Sequence, residues 1–305
     1  MIKKSLLLAF MMSLLLNVST KAKENIFTDE MGRKVKIPPA AKRIISLAPS
    51  ITEILFALGL NEEISAVTDF CDYPEAVLNK PRIGGFVSPN IEKIVLLKPD
   101  LIIAIRDGNR WETIHRLIEL GFSVFVVDPK DFDGVMRTVE NIGEIVGRQD
   151  EGRRILTNML TKKKEMMALT QSLSKPKVFF QVGDTPMVTV GKGTLADDLI
   201  RLAGGKSISE NELICYPLYS IESVLLKAPE IIIMTSMDSK KDHAHLVKKW
   251  ENWKSIPAVR MNAIYVIDSN LVDRPTPRIE RGLEALARIF HPEVFREKTP
   301  HQGRN

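Results

Sequence analysis

Metal ligation or nucleophilic catalysis in this chain would have to draw on five histidines and two cysteines. The histidines are His115, His243, His245, His291 and His301, and only Asp242-His243-Ala244-His245 forms a cluster. Lys240 and Lys241 adjoin it, a poor setting for a cation, so it reads as a solvated loop or helix start. Cys71 and Cys215 stand 144 positions apart. Two thiols cannot hold a four-thiolate iron–sulfur cluster, and their spacing leaves open whether they pair. The chain has no Gly-x-Ser-x-Gly, Cys-x-x-Cys or Gly-x-x-x-x-Gly-Lys. Gly191-Lys192-Gly193-Thr194 lacks the spacing of a phosphate loop and reads as a turn into a helix capped by Thr194. No enzyme signature emerges.

Binding chemistry is better represented. Aromatic and polar groups share the segments Ala48-Pro49-Ser50, Phe70-Cys71-Asp72-Tyr73-Pro74, Gly84-Gly85-Phe86 and Arg106-Asp107-Gly108-Asn109. Further along they share Gly183-Asp184, Cys215-Tyr216-Pro217-Leu218-Tyr219 and the stretch from Asp268 to Arg274. Each follows a stretch that reads as a strand. At the carboxyl ends of two open α/β sheets, such segments would bury a large, flat, partly apolar ligand.

The elements that must position these groups recur. Residues 91–103 read Ile-Glu-Lys-Ile-Val-Leu-Leu-Lys-Pro-Asp-Leu-Ile-Ile, and residues 221–233 read Ile-Glu-Ser-Val-Leu-Leu-Lys-Ala-Pro-Glu-Ile-Ile-Ile, at a constant offset of 130. Each is a short helix, a Pro-acid turn and a buried-type strand. Arg43 to Leu47 with the helix Ile51 to Leu58 has a counterpart in Val178 to Val182 with the helix Leu195 to Ala203. Gly59 and Gly204 stand where helices stop. Ser50 with Glu53 has capping-box spacing, as Thr194 with Asp197 nearly does. Short β-branched strands (Leu101 to Ile105, Val124 to Val127, Ile231 to Met234) predict parallel sheets covered on both faces. The fold class is therefore α/β, with two similar lobes over about 24–132 and 174–298. Residues 133–173 lack proline and carry apolar groups at helical spacing, with Gly143, Gly147 and Gly152 weakening the middle. They predict a long helix, or two abutting ones, joining the lobes rigidly, with the ligand cleft between them. Residues 299–305 form a polar tail.

At 305 residues the chain is long enough for two cores. It is 44% apolar and 27% charged, near the globular average, which excludes a disordered chain. Of the net charge of +5, Lys3, Lys4 and Lys21 supply three in the first 22 residues; the rest carries +2, a poor case for nucleic acid. Residues 1–22 read as a cleaved signal peptide: a basic start, an apolar run from Ser5 to Leu16, then Thr20-Lys21-Ala22. That run is too short for a span, which takes about 20 apolar residues. Export to the periplasm follows.

The motifs carry a resemblance. Arg43-Ile-Ile-Ser-Leu-Ala-Pro-Ser-Ile-Thr-Glu-Ile-Leu-Phe-Ala-Leu-Gly59, Cys71-Asp-Tyr-Pro74, the Glu92 helix with Lys98-Pro-Asp-Leu-Ile-Ile103, and Arg274-Pro-Thr-Pro-Arg-Ile279 are similar to those of periplasmic substrate-binding proteins of ABC importers. Over about residues 40–292 the chain most resembles the cobalamin-binding group. The resemblance implies aromatic walls at Tyr73, Phe86 and Tyr216, a weaker wall at Val182, and a polar pair at Asn270 and Arg274. Pro49, Ser50 and Arg106 complete the expected ligand set, and Glu92 and Glu222 would dock on arginines of a membrane permease. The partners expected are a corrinoid and that permease, with the binding protein acting as a monomer. No resident cofactor or catalytic residue is expected, since cobalt would arrive with the ligand. The alternatives are the same role for haem, with Tyr73, Tyr216 or Tyr219 on iron, or for a ferric siderophore, with Arg106 and Arg274 as cleft cations. A secreted metal-dependent hydrolase is the reading from another class, and it would need an acid/His cluster that the sequence lacks.

Overall fold

The computed structural model describes residues 25–236 and 244–295. The expected signal peptide, the expected tail, and Asp242 and His243 of the Asp242–His245 cluster lie outside the described residues. An antiparallel ribbon of β1 (Asn25–Thr28) and β2 (Lys34–Ile37) opens the described chain. The sequence pattern did not reveal it. Asp29 closes its turn by accepting from the backbone of Met31 and Arg33, and Glu30 donates its N–H to the Val126 carbonyl, tying the ribbon to the first sheet.

The first lobe runs β3 (Ile44–Ser46), α1 (Pro49–Ala57), β4 (Ile64–Val67), α2 (Ile91–Leu97), β5 (Leu101–Ile105), α3 (Trp111–Glu119) and β6 (Val124–Val127). Its sheet has the order β4-β3-β5-β6 and is parallel throughout. The continuous apolar strands are explained by their two covered faces. Ile44, Leu101, Ile103, Phe125 and Val127 pack under α1, while Ile45, Leu47, Ile102, Ala104 and Val126 pack against Ile94, Ile114 and Leu117.

Two helices follow, α4 (Phe132–Ile145) and α5 (Gln149–Thr170), where one long helix was an open expectation. Gly147 breaks them at φ +72, a conformation costly for other residues. They fold back as an antiparallel pair, with Lys163 on Asp133 at 2.6 Å. A Cβ at Gly143 would stand 3.2 Å from the Arg148 carbonyl and 3.8 Å from the Gly152 Cα, so glycine lets the helices close up at the turn. Phe132 and Val135 of α4 enter the second lobe's core, whereas Val139, Ile142 and Ile145 enter the first. On α5, Ile155 touches both cores, Leu156 the first, and Met159 and Met166 the second.

The second lobe runs β7 (Lys177–Gly183), β8 (Val188–Thr189), α6 (Leu195–Leu202), β9 (Lys206–Ser207), α7 (Ile221–Lys227), β10 (Ile231–Ser236), α8 (Ala244–Trp250), α9 (Pro257–Arg260), β11 (Ile264–Asp268), α10 (Ser269–Val272), α11 (Ile279–Phe290) and α12 (Pro292–Phe295). Thr194 caps α6 by accepting from the Asp197 N–H. β9, β10 and β11 flank β7 in parallel, as β4, β5 and β6 flank β3. The sheet is mixed because β8 adds antiparallel to β7. The internal repeat is thus a repeat of topology, and each sheet puts its switch point beside the first strand of its lobe.

Candidate functional site

In the first lobe β3 and β5 are parallel neighbours, so the loops after them leave the sheet side by side at its carboxyl end. Pro49, half-buried, is the first residue of α1, and Ser50 is buried behind it. The cap at this helix start is Ala48, which has no capping side chain, so Ser50 and Glu53 do not form the expected capping box. Proline at the first position makes the box unnecessary, because its φ is set and it has no N–H to satisfy. Asn109 is buried and holds three segments together. It donates to the Leu47 carbonyl at 2.9 Å and the Phe86 carbonyl at 2.8 Å, and accepts from the Ile105 N–H at 2.9 Å. The Phe86 ring lies over Gly108, where any Cβ would overlap it. Arg106 is exposed, with its guanidinium 3.7 Å from the Met31 sulfur at the ribbon turn.

In the second lobe Tyr216 stands at the place of Phe86, 130 positions on. Burial, then the nearby carboxylates of Asp107 and Asp273, push its phenol above the ordinary value. Asp107 belongs to the first lobe and Asp273 to the second, so Tyr216 is within electrostatic reach of both lobes. Asp273 is an exposed residue, yet the protein around its carboxyl strips it of water and pushes it up to about 6 against a hydrogen bond with Thr235. Asn270 is half-buried in α10 and its N–H donates to Asp268. Val182 is half-buried and packs against the second lobe's core.

Arg274 does more than the expected polar contact. Its Nη1 donates to Glu53 Oε1 at 3.0 Å and to Asp72 Oδ1 at 2.7 Å, both in the first lobe. Arg278 adds bonds to both Glu53 oxygens, at 2.7 and 2.6 Å, and its guanidinium lies 4.1 Å from the Tyr73 ring centre. The Glu53 side chain is only 2% exposed, so two arginines of one lobe hold a buried carboxylate of the other. Burial opposes the charge on Arg274, but the bonds to Asp72 and Glu53 outweigh it. The sequence pattern placed Asp72, Asn109 and Asp273 in candidate binding segments without a role of their own, and it gave Glu53 and Arg278 no place in the site. For Arg278 a signal existed in the second arginine of Arg274-Pro-Thr-Pro-Arg278, four residues after Arg274.

Cys71 is a buried free thiol between the hydroxyls of Thr52 and Thr68, and Cys215 is exposed and free. Glu92 and Glu222 are exposed in the first turns of α2 and α7. Two surface hollows involve none of these residues. One of about 270 Å³ is lined by Lys177, Lys206, Leu226 and Lys227; the other, of about 700 Å³, lies between the β1–β2 ribbon and the helix turn at Gly147. Among the described residues no group of His, Cys, Asp or Glu is placed to hold a metal ion, and no helix is long and apolar enough to cross a membrane.

Two like α/β lobes, joined across their facing sides by the bonds of Arg274 and Arg278 to Glu53 and Asp72, define a two-lobed solute-binding protein. The sequence pattern of the periplasmic binding protein family matches residues 44–271, and the chain belongs to that family. The vitamin B12-binding protein of Vibrio cholerae serotype O1 is 31% identical over 250 residues, covering 82% of this chain and 89% of that one. The uncharacterized ABC transporter substrate-binding lipoprotein YvrC of Bacillus subtilis (strain 168) is 30% identical over 276 residues, 88% of this chain and 86% of that one. The crystal structure of the periplasmic vitamin B12-binding protein BtuF of Vibrio cholerae superposes with a TM-score of 0.74 at 29% identity, over 85% of this chain and 100% of that one. This protein is a substrate-binding protein of an ABC transporter. It is a transport protein of the extracytoplasmic kind, and not an enzyme.

Proposed function

We propose that the protein captures a cobalamin-class corrinoid in the groove between its lobes and delivers it to an ABC permease in the membrane. The observation that carries this reading is the placement of Phe86 and Tyr216 at equivalent points of the two lobes, with Asp107 and Asp273 beside Tyr216. A corrin is a large flat ring edged with amides, and such a groove offers it aromatic faces and hydrogen-bond acceptors. Tyr73, Asn270 and Arg274 add polar and aromatic contacts at the rim, with Pro49, Ser50, Arg106 and Val182 at strand ends. Arg274 would meet the ligand while bonded to Glu53 and Asp72, which fixes its position before binding. Glu92 and Glu222, one per lobe, would pair with cations on the two halves of the permease.

The vitamin B12-binding relative supports the corrinoid over haem or a ferric siderophore. In this reading residues 1–22 are cleaved on export, the mature chain works in the periplasm as a monomer, and the α4–α5 pair holds the lobes rigidly. Titration of the purified mature chain with cyanocobalamin, haem and a ferric siderophore, followed by visible absorbance, tests it. One equivalent of cyanocobalamin should saturate the protein. Tight binding of haem or the siderophore, with no cyanocobalamin uptake, would refute it.

A further inference from the structure

The two short helices that begin with Glu92 and Glu222 match more closely than their sequences. Asn90 caps α2 and Ser220 caps α7, each accepting from the backbone N–H three residues on. Both helices end in a left-handed residue, Lys98 at φ 45, ψ 59 and Ala228 at φ 49, ψ 64. Ile94 and Val224 are fully buried at equivalent positions and turn the same face of each helix to its lobe. The opposite faces match too: Leu96 is 79% exposed and Leu226 is 86% exposed, again 130 positions apart. Each leucine follows its glutamate by four residues, so it lies beside it on the same helix face.

A single exposed leucine needs no explanation. Two at the same place in both lobes, each next to an exposed carboxylate, form a duplicated surface of an apolar knob and an anion. We propose that Leu96 and Leu226 are apolar docking knobs that seat in two equivalent sockets of a two-fold membrane partner, each socket set beside a cation. Duplication selects that occupant: a partner built from two copies presents the same socket twice, and the carboxylate in the first turn of each helix gives both sockets the same charge to pair with, while Lys177, Lys206 and Lys227 share a hollow with Leu226 in the second lobe. The proposal rests on the delivery reading above and adds the term that supplies affinity once charge has set the register. Apolar burial does not fade with salt, whereas exposed charge pairs do.

The test uses the mature protein and its cognate permease–ATPase complex in lipid nanodiscs, with Leu96→Ser, Leu226→Ser, the double variant, and the double reversal Glu92→Lys with Glu222→Lys. Both leucines are exposed, so the variants should fold and bind ligand as the parent does. Each Leu→Ser should weaken docking about tenfold, the scale of losing one buried leucine, and the pair about a hundredfold. Raising salt to about 0.5 M should leave that loss unchanged while shrinking the effect of the glutamate reversal. If the leucine pair docks within about twofold of the parent while the glutamate reversal abolishes docking, delivery stands and the knobs are idle. If neither set alters docking, the delivery reading falls with them. If the parent sediments as a dimer that Leu→Ser dissolves, the surface is a self-contact and the proposal is overturned.

Discussion

Glu53 carries the tightest set of charged contacts in the groove region, and its side chain is nearly sealed from water. A buried carboxylate persists only when cations and hydrogen bonds offset its lost hydration. Arg274 and Arg278 do so from the other lobe, with the Tyr73 ring under Arg278. We expect Glu53→Ala to destabilise the protein by about 3 kcal/mol, at the low end for breaking a buried pair because Arg274 keeps Asp72. Urea unfolding would measure it, and a loss under about 1 kcal/mol would mean that the arginines find other partners. Asp273 presents the opposite case. Its carboxyl is raised to about 6, so the folded state holds the proton more tightly than the unfolded chain. The stability it contributes is full below about pH 4 and is lost as pH rises through about 6. Asp273→Asn should therefore stabilise at pH 7 by about 1 kcal/mol, well under full linkage because water reaches the group, and by nothing near pH 4. For ligand, Tyr216→Ala should weaken cyanocobalamin binding about threefold to tenfold by calorimetry, the worth of one stacking face. None of the Glu53 contacts was legible in the sequence. They join residues 221 and 225 positions apart, and no local period encodes such a pairing.

At the scale of elements, local signals served well where a buried face imposes a period. β5 and β6 fall on the stretches that their apolar runs predicted, and Thr194 caps α6 as its spacing suggested. Ser50-Ile-Thr-Glu53 misled because Pro49 had already started the helix, which freed Glu53 for a long-range role. β8 and β9 have two residues each, too few for any alternation to show. Gly147 marked the break in the connecting segment, but sequence alone did not tell an abutting pair from a folded-back one. That distinction has a consequence for motion. Two antiparallel helices, each with apolar residues in both cores, resist bending far better than one strut, since any hinge must slide their shared face. Small-angle scattering of the ligand-free and ligand-bound protein should therefore superimpose. A marked compaction on binding would show that the helix pair yields.

Over the whole molecule the decisive feature is duplication. The four parallel strands of each lobe share one order, β8 being an addition to the second, and each lobe offers one exposed glutamate in the first turn of an equivalent helix. A hydrogen bond from Ser220 holds the Glu222 carboxyl below its ordinary value. Rim charges of this kind add modest affinity, but they set which way a complex docks. Reversing one sign should leave the other anchor in place and reduce uptake only partly. Reversing both replaces attraction by repulsion on each half of the partner at once. We therefore expect Glu92→Lys with Glu222→Lys to bind cyanocobalamin as the parent does, while uptake into cells lacking the parental protein collapses. The two measurements separate the causes. Normal uptake by the double variant would make the glutamates ordinary solvated residues. Lost ligand binding would instead mean that the carboxylates act on the ligand site itself, although neither makes a hydrogen bond or ion pair with the Glu53 cluster among the described residues. Two distant charges that matter only in the presence of the membrane partner would identify the duplicated surface as the delivery face.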